Sequence, residues 1–185
     1  MDPGLASDTM LVVRNTLRLG LACSCIALLA AGQASAPAAN KTEVEGKQLR
    51  LTAFADASAV SPGKRVELVL DVVLKPNMHV YAPGVENYIA IDWKMKDSGA
   101  ASIQDVAFPA SEKLYLQAID ETVPVYRNRF RLTRGITIAP EAKIKPLLDP
   151  KGVFSIEGTL RYQACDDRLC YVPQELPLKW TFQLR

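Results

Sequence analysis

Hydrophobic and polar residues alternate with a period of two along most of the chain after Asn40. This alternation is typical of β-strands that bury one face and expose the other. The predicted strands are Gln48–Phe54, Arg65–Leu74, Tyr88–Met95, Ser102–Phe108, Tyr126–Leu132, Phe154–Tyr162 and Leu176–Leu184.

Turn-forming residues separate the predicted strands, for example at Ser61-Pro62-Gly63 and at Asp149-Pro150-Lys151-Gly152. Glycine and proline are the strongest local signals for turns. The only segment that we predict as a helix is Ser111–Ile119. Seven or eight short strands joined by turns, without a convincing amphipathic helix, predict an all-β sandwich. We assign residues 48–185 to this single domain.

The first 36 residues have the order of a secretory signal peptide. Arg14 and Arg18 precede an apolar run, Leu19–Gly32, which is followed by small residues up to Ala36. The run is shorter than the roughly 20 residues that a membrane span requires. We therefore expect residues 1–36 to be a cleaved signal peptide that exports the chain to the periplasm, with Ala34 as the alternative cleavage position.

Three further expectations concern the N-terminal region. Met10 is a plausible start, because Met1–Thr9 carries two acids that the positive flank of a signal would normally lack. Lipid anchoring through Cys23 is disfavoured, because most of the apolar run would then lie on the wrong side of that cysteine. Residues 37–47 are polar, and we expect them to be a mobile lead-in to the domain.

The net charge excludes few classes of function, and it does not indicate a highly charged partner. The chain carries 22 Lys and Arg against 20 Asp and Glu, a net charge of +2 at pH 7. Removal of the signal peptide takes equal numbers of acids and bases and leaves this balance unchanged. A nearly neutral domain gives no indication of nucleic-acid binding. After the signal peptide, no apolar stretch is long enough to span a membrane.

Two cysteines, Cys165 and Cys170, remain once Cys23 and Cys25 leave with the signal peptide. In an oxidising compartment, two cysteines this close form a disulfide unless something keeps them reduced. A hairpin with four loop residues would place them opposite each other, where Cα atoms lie roughly 4.5–5.5 Å apart, within reach of a disulfide. By alternation from Tyr162, we expect Cys165 to point away from the core and to be accessible to another protein.

The residues alone leave two uses of the pair open. One is a structural staple, although closing a six-residue ring is worth only about 2 kcal/mol in the chain-entropy model, against nearly 5 kcal/mol for 100 residues. The other is reversible disulfide exchange with a partner protein. A zinc site is disfavoured, because it needs four ligands and the chain adds only His79 and scattered carboxylates to the two thiols. We expect no metal and no cofactor.

The sequence around the cysteines resembles a known redox site. Tyr162-Gln163-Ala164-Cys165 and Cys170-Tyr171-Val172-Pro173 resemble the active-site hairpin of the periplasmic N-terminal domain of the thiol:disulfide interchange protein DsbD, or disulfide bond corrector family. Asp120-Glu121 and Val125–Arg129 resemble the cap segment of that family and the strand after it, and His79-Val80-Tyr81 resembles an aromatic strand near the cysteines. The resemblance extends over most of the domain, but only the cysteine hairpin is specific.

This resemblance implies an immunoglobulin-like β-sandwich with protein-disulfide reductase, or thiol:disulfide interchange, activity. Such a domain takes electrons from a membrane-embedded or thioredoxin-like donor and passes them to periplasmic thiol–disulfide proteins, and cytochrome c maturation is one process it would serve. Cys165 and Cys170 would be the redox pair. Because we expect Cys165 to face outward, we expect it to form the mixed disulfide with the partner and Cys170 to resolve it.

The resemblance also implies residues that support the pair. Asp120 and Glu121 would lie beside the cysteines as acids able to handle protons, Tyr81 would line the pocket, and Tyr126 is a further candidate for the cap or pocket. Two departures matter. The best-known members have five residues between the cysteines instead of four, and Thr122 stands where their cap carries an aromatic residue. We therefore expect a cap that shields less surface.

Two other functions stay open. A non-catalytic β-sandwich adaptor would use the same cysteines only as a structural hairpin disulfide. A metal chaperone would bind copper or zinc through the two thiols. His79 is expected to be a strand residue whose ring is satisfied by its surroundings, in preference to a ligand or a base.

Overall fold

The computed structural model describes residues 41–117 and 120–185. The predicted signal peptide lies outside these residues. A short helix, α1 (Glu141–Ile144), continues into a 3-10 turn at Lys145–Leu147. The strands are β1 (Thr42–Glu45), β2 (Leu49–Ala55), β3 (Ala59–Val60), β4 (Arg65–Leu74), β5 (His79–Tyr81), β6 (Asp92–Met95), β7 (Ala101–Ala107), β8 (Glu112–Leu116), β9 (Glu121–Arg127), β10 (Arg129–Ile138), β11 (Val153–Tyr162), β12 (Ala164–Cys165) and β13 (Gln174–Leu184).

Two sheets enclose the main hydrophobic core. One has the strand order β1-β2-β4-β10-β7 and the other has the order β3-β13-β11-β6. Trp93 and Trp180 stack inside the core with their ring centroids 5.5 Å apart. The indole N–H of Trp180 donates a hydrogen bond of 3.0 Å to the carbonyl of Phe54, which joins the two sheets. The predicted all-β, immunoglobulin-like sandwich is confirmed.

A third, smaller sheet has the order β12-β5-β9-β8 and carries the cysteines. Its two faces pack in different hydrophobic clusters. Val80 lies in register with Ala164 on one side and with Tyr126 on the other, and all three are buried in the main core. Because successive side chains of a strand point to opposite faces, the residues next to them along each strand point away from that core. A second buried cluster on that face contains Tyr81, Val123, Val125 and Cys165.

Most of the strongly alternating segments form the predicted strands. β2, β4, β7, β11 and β13 each begin and end within two residues of the prediction. The strand predicted at Tyr88–Met95 is shorter, because only Asp92–Met95 forms β6. Asn87 before it adopts a left-handed conformation with φ of 62°.

The single strand predicted at Tyr126–Leu132 is wrong, because Asn128 divides it. Asn128 has φ of 55°, a left-handed conformation that asparagine tolerates better than most residues. The chain changes sheets there, since β9 pairs with β5 and β10 pairs with β4. Tyr126 and Phe130 are both buried, as predicted, but they belong to different strands.

The helix predicted at Ser111–Ile119 is also wrong. Glu112–Leu116 forms β8, an antiparallel partner of β9, and the last two residues of the predicted helix lie outside the described residues. Leu114 and Leu116 are partly buried against the second cluster, while Tyr115 between them is exposed. This period of two explains why the segment is a strand.

The lead-in expected at residues 37–47 contains a strand as well. Thr42–Glu45 forms β1 and pairs along its whole length with β2; residues 37–40 lie outside the described residues. No helix within 41–117 or 120–185 is long and apolar enough to cross a membrane.

Candidate redox site

Cys165 and Cys170 form a disulfide across a tight turn, with their Cα atoms 4.0 Å apart. The two residues face each other in an antiparallel bridge, as the four-residue spacing predicted. β11 ends at Tyr162, and the chain then moves to the small sheet, where Ala164 and Cys165 pair with β5. The amide of Tyr171 donates to the carbonyl of Ala164 at 2.8 Å and closes the hairpin behind the disulfide.

The carboxylate of Asp166 organises the turn between the cysteines. Its Oδ1 accepts hydrogen bonds from the amides of Arg168 at 2.8 Å and Leu169 at 2.9 Å, and its Oδ2 accepts one from the hydroxyl of Tyr171 at 2.8 Å. These hydrogen bonds, first those from the two amides, lower the pKa of Asp166. The amide of Asp166 also donates to the carbonyl of Leu169 at 3.0 Å. The turn is therefore held by contacts that do not depend on the disulfide.

The two cysteines differ sharply in exposure. Cys165 points away from the main core, as predicted, but the expectation that it is accessible to another protein is wrong. Cys165 is only 1% exposed and packs in the second cluster, whereas Cys170 is exposed. The alternation from Tyr162 continues through the change of sheet, since Ala164 is buried in the main core and Cys165 lies on the opposite face. The face of Cys165 that points away from the main core is covered by β8 and β9. Of the two cysteines, Cys170 is the one exposed at the surface.

Tyr81 lies at the junction between the two cysteines. It is buried beside Cys165 in the second cluster, and its hydroxyl oxygen is 3.8 Å from Sγ of Cys170. Burial, with a smaller effect from the charge of Glu121, raises the pKa of Tyr81. Its ring stacks on Tyr88, with centroids 4.3 Å apart and planes inclined by 26°. The structure thus brings Tyr81 to the disulfide, where the resemblance places it.

Asp120 and Glu121 are exposed at the hairpin between β8 and β9, and each accepts a hydrogen bond from a tyrosine. The hydroxyl of Tyr88 donates to Oε2 of Glu121 at 2.6 Å, and that of Tyr115 donates to Oδ1 of Asp120 at 2.9 Å. The hydrogen bond to Glu121, followed by burial, raises the pKa of Tyr88 to about 12. Through Tyr88 and Tyr81, Glu121 is joined to the cysteine pair by a chain of side-chain contacts.

Aromatic cover of the site comes from a residue that the sequence analysis did not select. Thr122 is exposed and lies opposite Tyr115 in the β8–β9 hairpin. Tyr88 supplies the ring that stacks on Tyr81. The turn at Pro83-Gly84, where Gly84 has φ of 94°, and the left-handed Asn87 return the chain to this position. These turn residues are the sequence signal that could have predicted the reversal of the chain that places Tyr88 over Tyr81.

Tyr126 does not belong to the site. It is buried in the main core, stacks on Phe130 with centroids 4.7 Å apart, and donates a hydrogen bond of 3.0 Å to the carbonyl of Pro109. Its register partner is Val80, so its side chain lies on the opposite face of the small sheet from Tyr81 and Cys165. The alternation of β9 therefore separates Tyr126 from the residues that surround the disulfide.

His79 is buried directly beside the pair, and one of its two ring nitrogens lacks the partner that was expected within the described part of the chain. It is 2% exposed and lies opposite Cys165 in the register of β12 and β5. Among the residues that the structure describes, Nε2 has no hydrogen-bond partner. Desolvation, and to a lesser extent the charge of Arg127, lower the pKa of His79, whereas Asp167 and Asp166 oppose this shift. Within the described ranges, no cluster of three or more His, Cys, Asp or Glu residues is arranged to hold a metal ion.

Comparisons with known proteins find a matching family and a structural neighbour. A solved structure of the N-terminal periplasmic domain of ScsB from Proteus mirabilis is 15% identical and covers 72% of this chain and 47% of that chain, with a TM-score of 0.48. This chain therefore spans less than half the length of that chain. A comparison with curated protein sequences found no significant match. The family model described as "Thiol:disulfide interchange protein DsbD, N-terminal" matches residues 31–179. The chain therefore belongs to the DsbD N-terminal family, a family of thiol–disulfide exchange domains.

Proposed function

We propose that this protein is a periplasmic thiol–disulfide exchange protein that uses Cys165 and Cys170 as a reversible redox pair. The observation that carries the proposal is the contrast between the two cysteines, since Cys170 is exposed and Cys165 is buried beneath β8 and β9. A disulfide with one accessible sulfur is suited to exchange, because a partner thiolate must reach one sulfur to form a mixed disulfide. A disulfide that only stabilises the fold does not require one cysteine to be more exposed than the other.

In the proposed reaction, the thiolate of Cys170 attacks the disulfide of a partner protein and releases one partner sulfur as a thiolate. Cys165 then loses its proton and attacks Sγ of Cys170, which releases the second partner sulfur. Two electrons pass to the partner, and the Cys165–Cys170 disulfide re-forms. These roles reverse those expected from the sequence, because the exposed cysteine is the one available for the first attack.

Apolar side chains beside Cys170 support contact with a partner protein. Leu169 precedes it and is exposed, and Val172 is 78% exposed two residues later. Exposed apolar residues grouped at one place are a feature of protein-binding surfaces. We infer that these residues pack against the partner while the mixed disulfide forms.

The proposed partners are a membrane-embedded or thioredoxin-like electron donor and oxidised periplasmic thiol–disulfide proteins, with cytochrome c maturation among the processes served. Export by the predicted signal peptide of residues 1–36 is part of the same proposal. Family membership supports thiol–disulfide proteins as the class of partner.

The decisive experiment is an equilibrium titration of the pair with reduced and oxidised glutathione. Structural disulfides of secreted proteins typically have reduction potentials below about −300 mV. We expect a less negative potential, comparable with those of thioredoxin-like proteins. A potential well below −300 mV would refute the exchange function and favour the adaptor with a structural disulfide.

Single-cysteine variants test the assigned roles. With Cys165→Ala, we expect Cys170 to be trapped in a mixed disulfide with oxidised periplasmic proteins, because the resolving thiol is absent. Cys170→Ala should give at least tenfold less adduct, and the double variant serves as the control. Equal trapping by both single variants would contradict the assignment, and no trapping by either would contradict exchange itself.

A further inference from the structure

His79 has a feature that exchange between the two cysteines does not by itself explain. Its side chain is 2% exposed, and in the described part of the chain its Nε2 atom has no hydrogen-bond partner. Buried polar atoms in folded proteins are nearly always paired, and an orphaned one costs free energy. Such an exception calls for a physical explanation.

The position of His79 supplies one. It lies directly opposite Cys165 in the antiparallel pairing of β5 with β12. Side chains of directly opposed residues project from the same face of a sheet, with Cβ atoms about 4.5–5.5 Å apart. The imidazole ring also makes an edge-to-face contact with Tyr81, whose hydroxyl approaches Cys170. His79 therefore stands beside the buried half of the redox pair.

Cys165 requires a base when it resolves the mixed disulfide. The attacking species in disulfide exchange is the thiolate, and a thiol buried in apolar surroundings resists ionisation. Cys165 packs with Tyr81, Val123 and Val125, which offer it no anionic oxygen or neutral nitrogen. Asp120 and Glu121, the acids that the resemblance would assign to proton handling, are exposed and hydrogen-bonded to tyrosines.

We propose that Nε2 of His79 accepts the thiol proton of Cys165 as that sulfur attacks Sγ of Cys170. The proposal rests on the proposed exchange function and adds a proton acceptor to its second step. In that step the Cys165–Cys170 bond forms, the bond from Cys170 to the partner sulfur breaks, and the partner leaves as a thiolate. The proton moves from Cys165 to His79, so that charge and electrons balance.

The surroundings keep His79 ready for this role. The charged and titratable groups that face it are Arg127 on β9, Asp166 and Asp167 on the turn, Tyr81 on β5 and Tyr115 on β8. Burial and Arg127 lower the pKa of His79, so the ring is neutral at pH 7 and has a nitrogen free to accept a proton. A cavity of about 480 Å³, lined by His79, Leu114, Tyr115, Leu116, Gln117, Asp166 and Asp167, gives the accepted proton a route to solvent.

The test follows the reduced full chain as it reacts with the disulfide 5,5′-dithiobis(2-nitrobenzoate). Attack by Cys170 releases one coloured thiolate, and resolution by Cys165 releases a second, so the two steps appear as separate phases. His79→Gln and His79→Phe should leave the first phase unchanged and slow the second about 100-fold at pH 7, the scale of general-base catalysis. Tyr126→Phe, on the opposite face of the same sheet, is the matched control and should change neither phase.

The pH dependence of the second phase distinguishes a role of His79 in proton transfer from a role in packing. In the wild type, the second phase should slow below a bend on the acid side of pH 7, where His79 becomes protonated; the variants should lack this bend. If His79→Phe resolves at the wild-type rate, or if the wild-type second phase has no such bend, the role of His79 is refuted while the exchange function stands. The wild-type profile decides the question even if the variants fail to fold. If the reduced wild type releases no thiolate at all, the exchange function fails as well.

Discussion

Reduction of the Cys165–Cys170 disulfide should cost the domain only about 2 kcal/mol of folding stability. The cysteines are five positions apart, so the bond closes a ring of six residues. The chain-entropy model assigns such a ring about 2 kcal/mol of stabilisation at 25 °C. The turn keeps its own hydrogen bonds through Asp166, so reduction should add little loss in the folded state. Because domains are typically stable by about 5–15 kcal/mol, the reduced protein should remain folded.

Urea denaturation of the oxidised and reduced protein measures this difference. Trp93 and Trp180 stack in the main core and provide a fluorescence signal for unfolding. Linear extrapolation to water gives the free energy of unfolding of each form. The double variant of Cys165→Ala with Cys170→Ala is the control, because added reductant should leave its unfolding unchanged.

A thermodynamic cycle gives a second measurement of the same quantity. For a two-electron couple, 1.4 kcal/mol corresponds to about 30 mV, so a difference of about 2 kcal/mol corresponds to about 45 mV. The pair should therefore be about 45 mV more reducing in the folded protein than in urea. A stability loss above about 4 kcal/mol, or unfolding on reduction, would show that the bond acts as a staple and would refute the reasoning.

Three further predictions concern the scaffold. The hydrogen bond from Arg129 lowers the pKa of Asp71, so this pair stabilises the fold above about pH 4, and the stabilisation is lost at lower pH. In urea denaturation at pH 7, Asp71→Asn should cost roughly 0.5–1 kcal/mol of stability, and the stability of the variant should depend less on acid pH than that of the wild type. Asn128 has φ of 55°, so the Asn128→Ala variant should be about 1 kcal/mol less stable than the Asn128→Gly variant. Equal stability of the two variants would contradict strain in the left-handed conformation. Tyr126→Phe should lower the melting temperature through its lost hydrogen bond, at about 1 kcal/mol, and an altered glutathione equilibrium would contradict its place outside the site.

The strands of the two large sheets could be predicted from the sequence because their alternation continues without interruption. In β4 and β11, one face remains against the same core from end to end, so a period of two indicates both the strand and its buried side. The spacing of the cysteines likewise indicated the hairpin, since four intervening residues suffice for a turn. Both features are determined by residues that are close together in the sequence.

The parts that could not be predicted depend on contacts between residues that are distant in the sequence. The exposure of Cys165 was misjudged because alternation indicates which side of a strand faces the main core, but not whether further strands, here β8 and β9, cover the other side. The change of sheet at Asn128, which assigns Tyr126 to one sheet and Phe130 to another, likewise depends on pairing with distant strands. The position of His79 beside Cys165 depends on pairing with a residue 86 positions later in the chain, which no local pattern indicates.

Strand β5 limits how the length of this protein can change during evolution. It has three residues, of which the middle one, Val80, packs in one core while Tyr81 packs in another. A single insertion or deletion inside it would exchange these faces and place an apolar side chain beside the sulfurs. Length variation should therefore be confined to the flanking turns, at Asn77 and Gly84. Anyone grafting this redox centre onto another sandwich would need to transfer β5, β9 and β12 as one unit.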